Sequence, residues 1–454
     1  MQMNTLVFIE LIILGVLLWR SALDLIAIRS NIHWLRKSQR ALSGPPTTRF
    51  IICIPVLYEQ DVITQTLTRM LTLDYPKELV TIYVVTTRKE SRQGNSPTTR
   101  EVVTQYSGSL SPEDKQRMQV LTYPSKEGRM AHQINFVADH VANELRSENC
   151  YFVVYNADSV VQPDALRVAD GAVRDIHRRT HTYPSIMQQS AIYSYQGTAG
   201  RFESSIAKGA AMHQSRWTLT HEISRLRKQS RSIKKLNSGA VLSSIFHAKI
   251  AHCVGHGLFI QGMHYIEHPL PSDVLNEDLP YGLMQCALRK EIYPLPTLEL
   301  ATSPARLTNV YKQKAVWFNP MFEFHTCIKT LLASGNYVSR FEVYILAMQA
   351  YATMLVWLAH SLFWNVGLVL SIVLGWKFFA LWLIALVCYW VIPSFLYHRY
   401  AKEEGLYSCF TLASLAAGSL YVLSHSAGPL LCSLRWIKAR SAGMQPDKPK
   451  TVSN

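Results

Sequence analysis

Asp158 closes the run Cys150-Tyr-Phe-Val-Val-Tyr-Asn-Ala-Asp, and 120 residues further on stands the acidic pair Glu277-Asp278. An apolar run that ends in an acid puts a carboxylate where a strand stops, a place that can seat a divalent cation or a cation-bridged diphosphate. A carboxylate pair far along the chain offers a proton acceptor. Two charges so distant in sequence work together only if a fold brings them to one place, so the elements around them come next.

Short β-rich runs at 50–57, 80–87, 118–123 and 151–155 alternate with helical patterns at 59–73 and 130–145. Strand plus helix roughly every 30 residues is the signature of βαβ units and a parallel sheet covered on both faces. Ligands on such sheets gather at the carboxyl ends of the strands, which is where the pattern places Asp158.

The chain has 454 residues, 48% of them hydrophobic, and a mean hydropathy near zero. It is too apolar for an ordinary cytosolic enzyme and too polar for a pure transporter. The apolar weight lies in 4–28 and 341–432. We expect an uncleaved transmembrane anchor over residues 1–28, an α/β domain over 29–335, three or four C-terminal transmembrane helices over 336–434, and a basic tail over 435–454.

Arg29, Arg36, Lys37 and Arg40 follow the anchor and place the α/β domain in the cytoplasm by the positive-inside rule. Arg435, Lys438, Arg440, Lys448 and Lys450 ask for the same side, hence an even number of crossings. Cuts at 360–365, 375–377 and 398–404 give four short C-terminal helices that satisfy the charges, whereas three fit the hydropathy better. Residues 318–332 read as an amphipathic helix on the membrane that ends the α/β domain.

A net charge of +15 beside such segments points to anionic lipid rather than nucleic acid, for which no binding signature accompanies it. The basic run 225–235 holds six basic residues and no acid, and reads either as a solvated helix face or as a contact to headgroups or a diphosphate. The eight cysteines show no CxxC pair and read as buried thiols in a reducing compartment.

Five local motifs follow one another in a telling order: Pro55-Val-Leu-Tyr58-Glu59; Lys126-Glu-Gly128-Arg129-Met-Ala131-His-Gln-Ile-Asn135; Asn156-Ala157-Asp158; Asn276-Glu277-Asp278; and Gln313-Lys-Ala-Val316-Trp317. Together they resemble the membrane-integrated family 2 glycosyltransferases, which include synthases of cellulose, hyaluronan and poly-N-acetylglucosamine. The resemblance implies a GT-A-type, Rossmann-like mixed sheet in a cytoplasmic catalytic domain, with an α-helical transmembrane region.

It also implies an inverting transfer from a nucleotide-sugar donor, expected to be UDP-linked, to a polysaccharide or lipid-linked acceptor at the bacterial inner membrane. Asp278 is then the catalytic base. Pro55, Tyr58, Glu59, Lys126, Asn156, Asp158 and Gln313 hold donor and diphosphate, Asp158 carries Mg²⁺ or Mn²⁺, and Glu277 and Trp317 face the acceptor.

Three positions depart from the family pattern. Asn156 stands where the metal motif has its first acid. Val316 replaces the signature arginine, for which Lys312 or Lys314 would have to substitute. Thr86 and Thr87 occupy the place of an aspartate that reads the uracil ring. A non-catalytic membrane receptor or polysaccharide-assembly subunit on a decayed transferase scaffold is therefore the alternative.

Two further features carry expectations. His252 and His256 have the i, i+4 spacing of a zinc helix, but Gly255 and Gly257 oppose a helix, which speaks against a metal centre; for His247, His252, His256, His264 and His268 the family resemblance implies a wall on the acceptor side. Glu342, Gln349, His360 and Lys377, polar residues in apolar segments, suit a tunnel for a growing polymer. The oligomeric state is not legible.

Overall fold

The computed structural model describes residues 2–39, 44–92, 96–197, 200–236 and 241–442; Arg40, Lys448 and Lys450 lie outside them. The expected α/β class with a mixed sheet beside a helical region is what the chain forms. The sheet has seven strands: β1 (Arg49–Pro55), β2 (Val80–Thr87), β3 (Met118–Tyr123), β4 (Cys150–Val154), β5 (Ile186–Tyr195), β6 (Leu258–Gln261) and β7 (Ile292–Ser303). Their order is β3-β2-β1-β4-β6-β5-β7, parallel except for β6, which runs against both neighbours.

Strands buried on both faces need continuous apolar sequence, and β1 supplies it as Phe-Ile-Ile-Cys-Ile. Ile51 and Cys53 pack with Phe152 and Val154 under helix α3 (Met130–His140), while Phe50, Ile52 and Ile54 pack under α2 (Ile63–Leu71) and α4 (Ala165–Thr180). From β1 the chain winds outward to β2 and β3 on one side and to β4 on the other. The crevice beyond the carboxyl ends of β1 and β4 is thus the switch point where such sheets receive ligands. The loops Tyr58-Glu59 and Asn156-Asp158 both issue into it.

Two of the expected helices are shorter than their apolar pattern. The stretch 59–73 gives only α2, because Tyr58 takes a left-handed φ of 61° and a turn precedes the helix. The stretch 130–145 breaks at Val141 into α3 and the short helix Ala142–Leu145.

Helix α1 (Gln2–Gln39) outruns the expected anchor at 1–28 by about three turns. It exposes Phe8, Leu11, Ile12, Val16, Trp19 and Ile26, yet buries Glu10, Asp24 and Asn31 against the rest of the protein. Helices α5 (Arg201–Trp217) and α6 (Ile223–Ile233) continue one another through a π turn at Thr218–Glu222, and the short α7 (Val241–His247) follows. Helix α8 (Asp278–Ala287) lies in the connection from β6 to β7, and α9 (Leu307–Phe318) and α10 (Pro320–Ser334) follow β7.

The amphipathic segment expected at 318–332 is α10, and its apolar face is turned inward: Phe324 and Leu331 are buried, while His325, Thr326, Lys329 and Thr330 face out. An exposed apolar face belongs instead to α7, through Val241, Leu242, Ile245 and Phe246.

Among the described residues, four helices are long and apolar enough to cross a membrane: Met3–Ser38, Arg340–Leu374, Trp376–Glu403 and Leu412–Ser441. We name the second α11 and the third α12; the fourth turns at His425-Ser426 into α13 (Leu412–Ser424) and α14 (Ala427–Ser441). Three follow the α/β domain, where the charge rule asked for four. The breaks at Gly375, with φ of 105°, and after Glu403 are present. The cut at 360–365 is not, because His360 bonds Tyr389 and Asn365 bonds the Ser361 and Leu423 carbonyls, so neighbouring helices satisfy what looked like solvent-seeking residues.

Both halves of the last helix pack on the α/β domain. Gly209 of α5 approaches so closely that a Cβ there would sit 2.4 Å from Gly418 Cα, and the Trp436 indole donates to Asn319 at 2.8 Å. The basic end of α14 therefore emerges beside that domain.

Candidate active site

Asp158 is held by its own loop. The Ser159 amide donates to the Asn156 carbonyl at 3.1 Å, Thr66 donates to the Ala157 carbonyl at 2.6 Å, and Val160 forms an antiparallel bridge with Leu300 of β7. The bridge sets the Asp158 loop beside Glu299, whose neighbour His256 contacts it through Nδ1. Burial raises the Asp158 carboxyl, His256 opposes the shift and Glu299 adds to it. For His256, burial works against the charged form, but Glu299, Glu222 and Asp158 outweigh it and lift the imidazole to about 9. Buried Glu222 and Glu299 and half-buried Asp158 and His256 thus share one electrostatic cluster, with an imidazolium balancing carboxylates.

Asp278 opens α8, where helix N-termini favour negative charge. Its Oδ2 accepts from the Gly255 amide at 3.1 Å and its Oδ1 from the Leu279 amide at 2.8 Å. Gly255 belongs to the 252–256 loop, which Gln188 fixes by accepting from Val254 N–H and donating to the His256 carbonyl. The glycines that deny this stretch a helix let its backbone reach the carboxylate. The acidic pair is tied to the Trp317 segment as well: Asn276 donates to the Val316 carbonyl at 2.6 Å, and Glu323 accepts from Leu275 N–H at 2.8 Å.

Asn156, Asp158, Glu277, Asp278, Gln313, Val316 and Trp317 line one cavity of about 630 Å³. Pro55, Tyr58, Glu59 and Lys126 do not line it. Glu59 is nevertheless close enough to feel Asp158: burial first, then that charge, push its carboxyl up to about 8. Lys126 is exposed. In the same segment, Gly128 is required because a Cβ would meet the Tyr123 ring at 2.2 Å, and Gln133 donates to the Val56 and Val85 carbonyls, pinning the ends of β1 and β2.

The substitutes expected for the signature arginine are elsewhere. Lys312 is exposed. Lys314 is buried beneath Trp317, 3.8 Å from the ring centroid, and donates to Gln214 at 2.5 Å; burial drives its pKa well below that of a free lysine. Neither lines the cavity. Thr86 donates to the Leu121 carbonyl at 3.1 Å, so its hydroxyl belongs to the β2–β3 pair rather than to a base-reading edge.

Of the histidines, His252 and His256 line the cavity and His247, His264 and His268 do not. Both ring nitrogens of His252 are buried without a hydrogen-bond partner. His264, Glu267 and His268 bring ligand atoms within 4.8 Å of one another, and His264 Nε2 lies 2.7 Å from Gln285 Oε1. At the strand end, Asp158 and Asn156 offer oxygen donors of the kind Mg²⁺ and Mn²⁺ prefer, and they fit such an ion when diphosphate oxygens and water complete its shell.

Most of the far wall was not foreseen; Arg225, at the start of the basic run 225–235, and His360 are the exceptions. It comes from Arg20 of α1; His213, Gln214 and Trp217 of α5; His221, Glu222 and Arg225; Ala352, Thr353, Met354, Val356, Trp357 and His360 of α11; Tyr389 of α12; and His425. Of the tunnel candidates only His360 is among them. Glu342 instead takes Arg289 and Ser244, Gln349 bonds the backbone of Ala248 and Ile250, and Lys377 is exposed. The foreseeable signal was charge in an apolar helix, Arg20 and Asp24, which marks buried function more often than surface.

No family model matches this chain, and no curated protein does. Among solved structures, the mannosyltransferase PcManGT from Pyrobaculum calidifontis, in complex with GDP-Man and Mn²⁺, is similar at 14% identity and a TM-score of 0.44, covering 89% of this chain and 98% of that one. S. aureus TarS 1-349 follows at 12% identity and a TM-score of 0.39, covering 79% and 92%. Its complex with UDP-GlcNAc stands at 13% and 0.38.

Proposed function

We propose that this chain is a membrane-integrated, inverting glycosyltransferase of the family 2 kind, with a GT-A-type domain in the cytoplasm of a bacterium and its helices in the inner membrane. It would move a sugar from a nucleotide-sugar donor to a polysaccharide or lipid-linked acceptor. The observation that carries the reading is that Asp158, Asp278 and Trp317, from three separated segments, line one cavity between the strand ends and the apolar helices.

In this reading the donor diphosphate lies at Asp158, with Asn156 and Gln313 as hydrogen-bonding partners. A divalent cation bound there would neutralise charge developing on the leaving diphosphate. Asp278 accepts the acceptor hydroxyl's proton as that oxygen bonds to the anomeric carbon and the carbon–diphosphate bond breaks on the opposite face. The Gly255 and Leu279 amides hold the carboxylate in place for that step. Trp317 offers a flat apolar face and an N–H to a sugar ring, and Tyr193, its centroid 6.1 Å away, backs it.

The test is turnover of UDP- and GDP-linked sugars by the full-length protein in detergent with Mg²⁺ or Mn²⁺. Release of nucleoside diphosphate that Asp278→Asn lowers roughly 10²- to 10⁴-fold supports the enzyme. No release with any donor would favour the receptor on a decayed scaffold, which the buried Lys314 and the substituted Asn156 and Val316 suggest.

A further inference from the structure

Two guanidinium groups line the helix-side end of the cavity, and neither makes a salt bridge among the described residues. Arg20 bonds His221 Nε2 at 3.1 Å through Nη2, and its Nε is buried with no partner. Arg225 lies over the Trp217 ring, 5.6 Å from the centroid. Among the described residues, no carboxylate lies within 4.0 Å of either, although both line the cavity.

The neighbouring acids are engaged elsewhere. Asp24, one turn along α1 from Arg20, accepts from Arg216 Nη1 at 2.9 Å and lies 3.5 Å from His221. Glu222 faces the cluster of His256 and Glu299 as well as Arg225. Arg216 bonds Asp24, Tyr389 and His213 through its two terminal nitrogens, and its Nε is buried without a partner. Burial, and then the like charge of Arg20, bring Arg225 down to about 10, with Glu222 opposing the shift. Such an arrangement is costly unless an anion joins it. Guanidinium forks suit phosphoryl oxygens in particular.

We propose that Arg20 and Arg225 form an anion subsite that receives a phosphoryl group at the helix-side end of the cavity. The subsite deepens the glycosyltransferase reading and rests on it for its purpose: it supplies the cation that Val316, Lys312 and Lys314 do not. The phosphoryl group is either that of a lipid-linked acceptor or the donor's diphosphate.

The test is calorimetric binding to the full chain in neutral detergent, with octyl phosphate, octanol, pyrophosphate and UDP as probes. Arg20→Gln and Arg225→Gln are each expected to weaken a phosphoryl probe by about 10- to 100-fold, the range for losing a charged hydrogen bond. Arg225→Lys, which keeps the charge and loses the fork, should recover part of it.

Loss for octyl phosphate, with octanol not binding and UDP unchanged, assigns the subsite to a lipid phosphate. Loss for pyrophosphate and UDP alone assigns it to the donor. Unchanged affinity for every phosphoryl probe in both variants, with melting temperatures like the wild type's, overturns the subsite. Asp278→Asn separates the two claims: it should stop turnover and keep phosphate binding. A wild type that binds phosphate yet turns over no donor would refute the enzyme and leave the subsite standing.

Discussion

Replacing Glu299 with glutamine removes the charge that contacts His256 Nδ1 and leaves the side chain's shape. In the wild type that contact, with Glu222 and Asp158, raises the imidazole from 6.5 to about 9 against the effect of burial. A histidine raised on folding contributes stability that is fully present below its unfolded pKa and is lost as pH climbs through its folded one. The window is therefore pH 6.5 to about 9. At about 1.4 kcal/mol per pH unit, the contribution lost across it is about 3 kcal/mol. In a Glu299→Gln protein burial dominates and His256 stays neutral, so this loss should vanish.

Asp158 and Glu222, also raised by burial, lose stability in the same direction in both proteins, with Glu299 adding to each shift and His256 opposing it in the wild type. The quantity to read is thus the difference between wild type and variant. Thermal unfolding of the detergent-solubilised protein from pH 6 to 9.5 measures it, and about 3 kcal/mol corresponds to a shift on the order of 3 °C for a chain of this length. The variant should melt lower at pH 6 and approach the wild type at pH 9.5. A constant gap across that range would refute the assignment of an imidazolium beside Asp158.

Other outcomes follow from the same geometry. Lys314→Met should leave UDP affinity within about threefold, because the amine is buried under Trp317 and makes one hydrogen bond; a loss of tenfold or more in a binding titration would restore Lys314 as the missing cation. Asn276→Ala breaks the tie to the Val316 carbonyl and should cost about 1–3 kcal/mol, with a rise in the acceptor's KM that exceeds any fall in kcat. Gly209→Val would drive a side chain into the Gly418 backbone and should lower stability by about 1–3 kcal/mol, read as a fall in melting temperature.

The first half of the sheet was legible because β1, β2, β3 and β4 are runs of β-branched and aromatic residues bounded by turns. The second half was not. Strand β5 carries Gln188, Gln189, Ser190 and Ser194, all buried, and its polar groups serve the 252–256 loop and neighbouring backbone instead of solvent. The motifs around Asp158, Asp278 and Trp317 were readable from residue type and order.

Most of what surrounds these motifs was not readable, because Glu222, Glu299 and Arg20 reach the cavity only through tertiary packing; Arg225 alone stood in a basic run read as a possible diphosphate contact. The same packing misled the reading of the apolar helices. His360 and Asn365 resemble a loop in one dimension, whereas in the fold Tyr389 and the Leu423 carbonyl satisfy them. Lys314 looked like a spare cation until its burial under Trp317 was seen.

The most direct test is an experimental structure of the full chain with a nucleoside diphosphate and Mn²⁺. The account predicts the diphosphate and the ion at Asp158, with open space for a sugar between Asp278 and Trp317. A nucleotide bound on another face, or a cavity that stays closed to millimolar UDP and GDP, would contradict it.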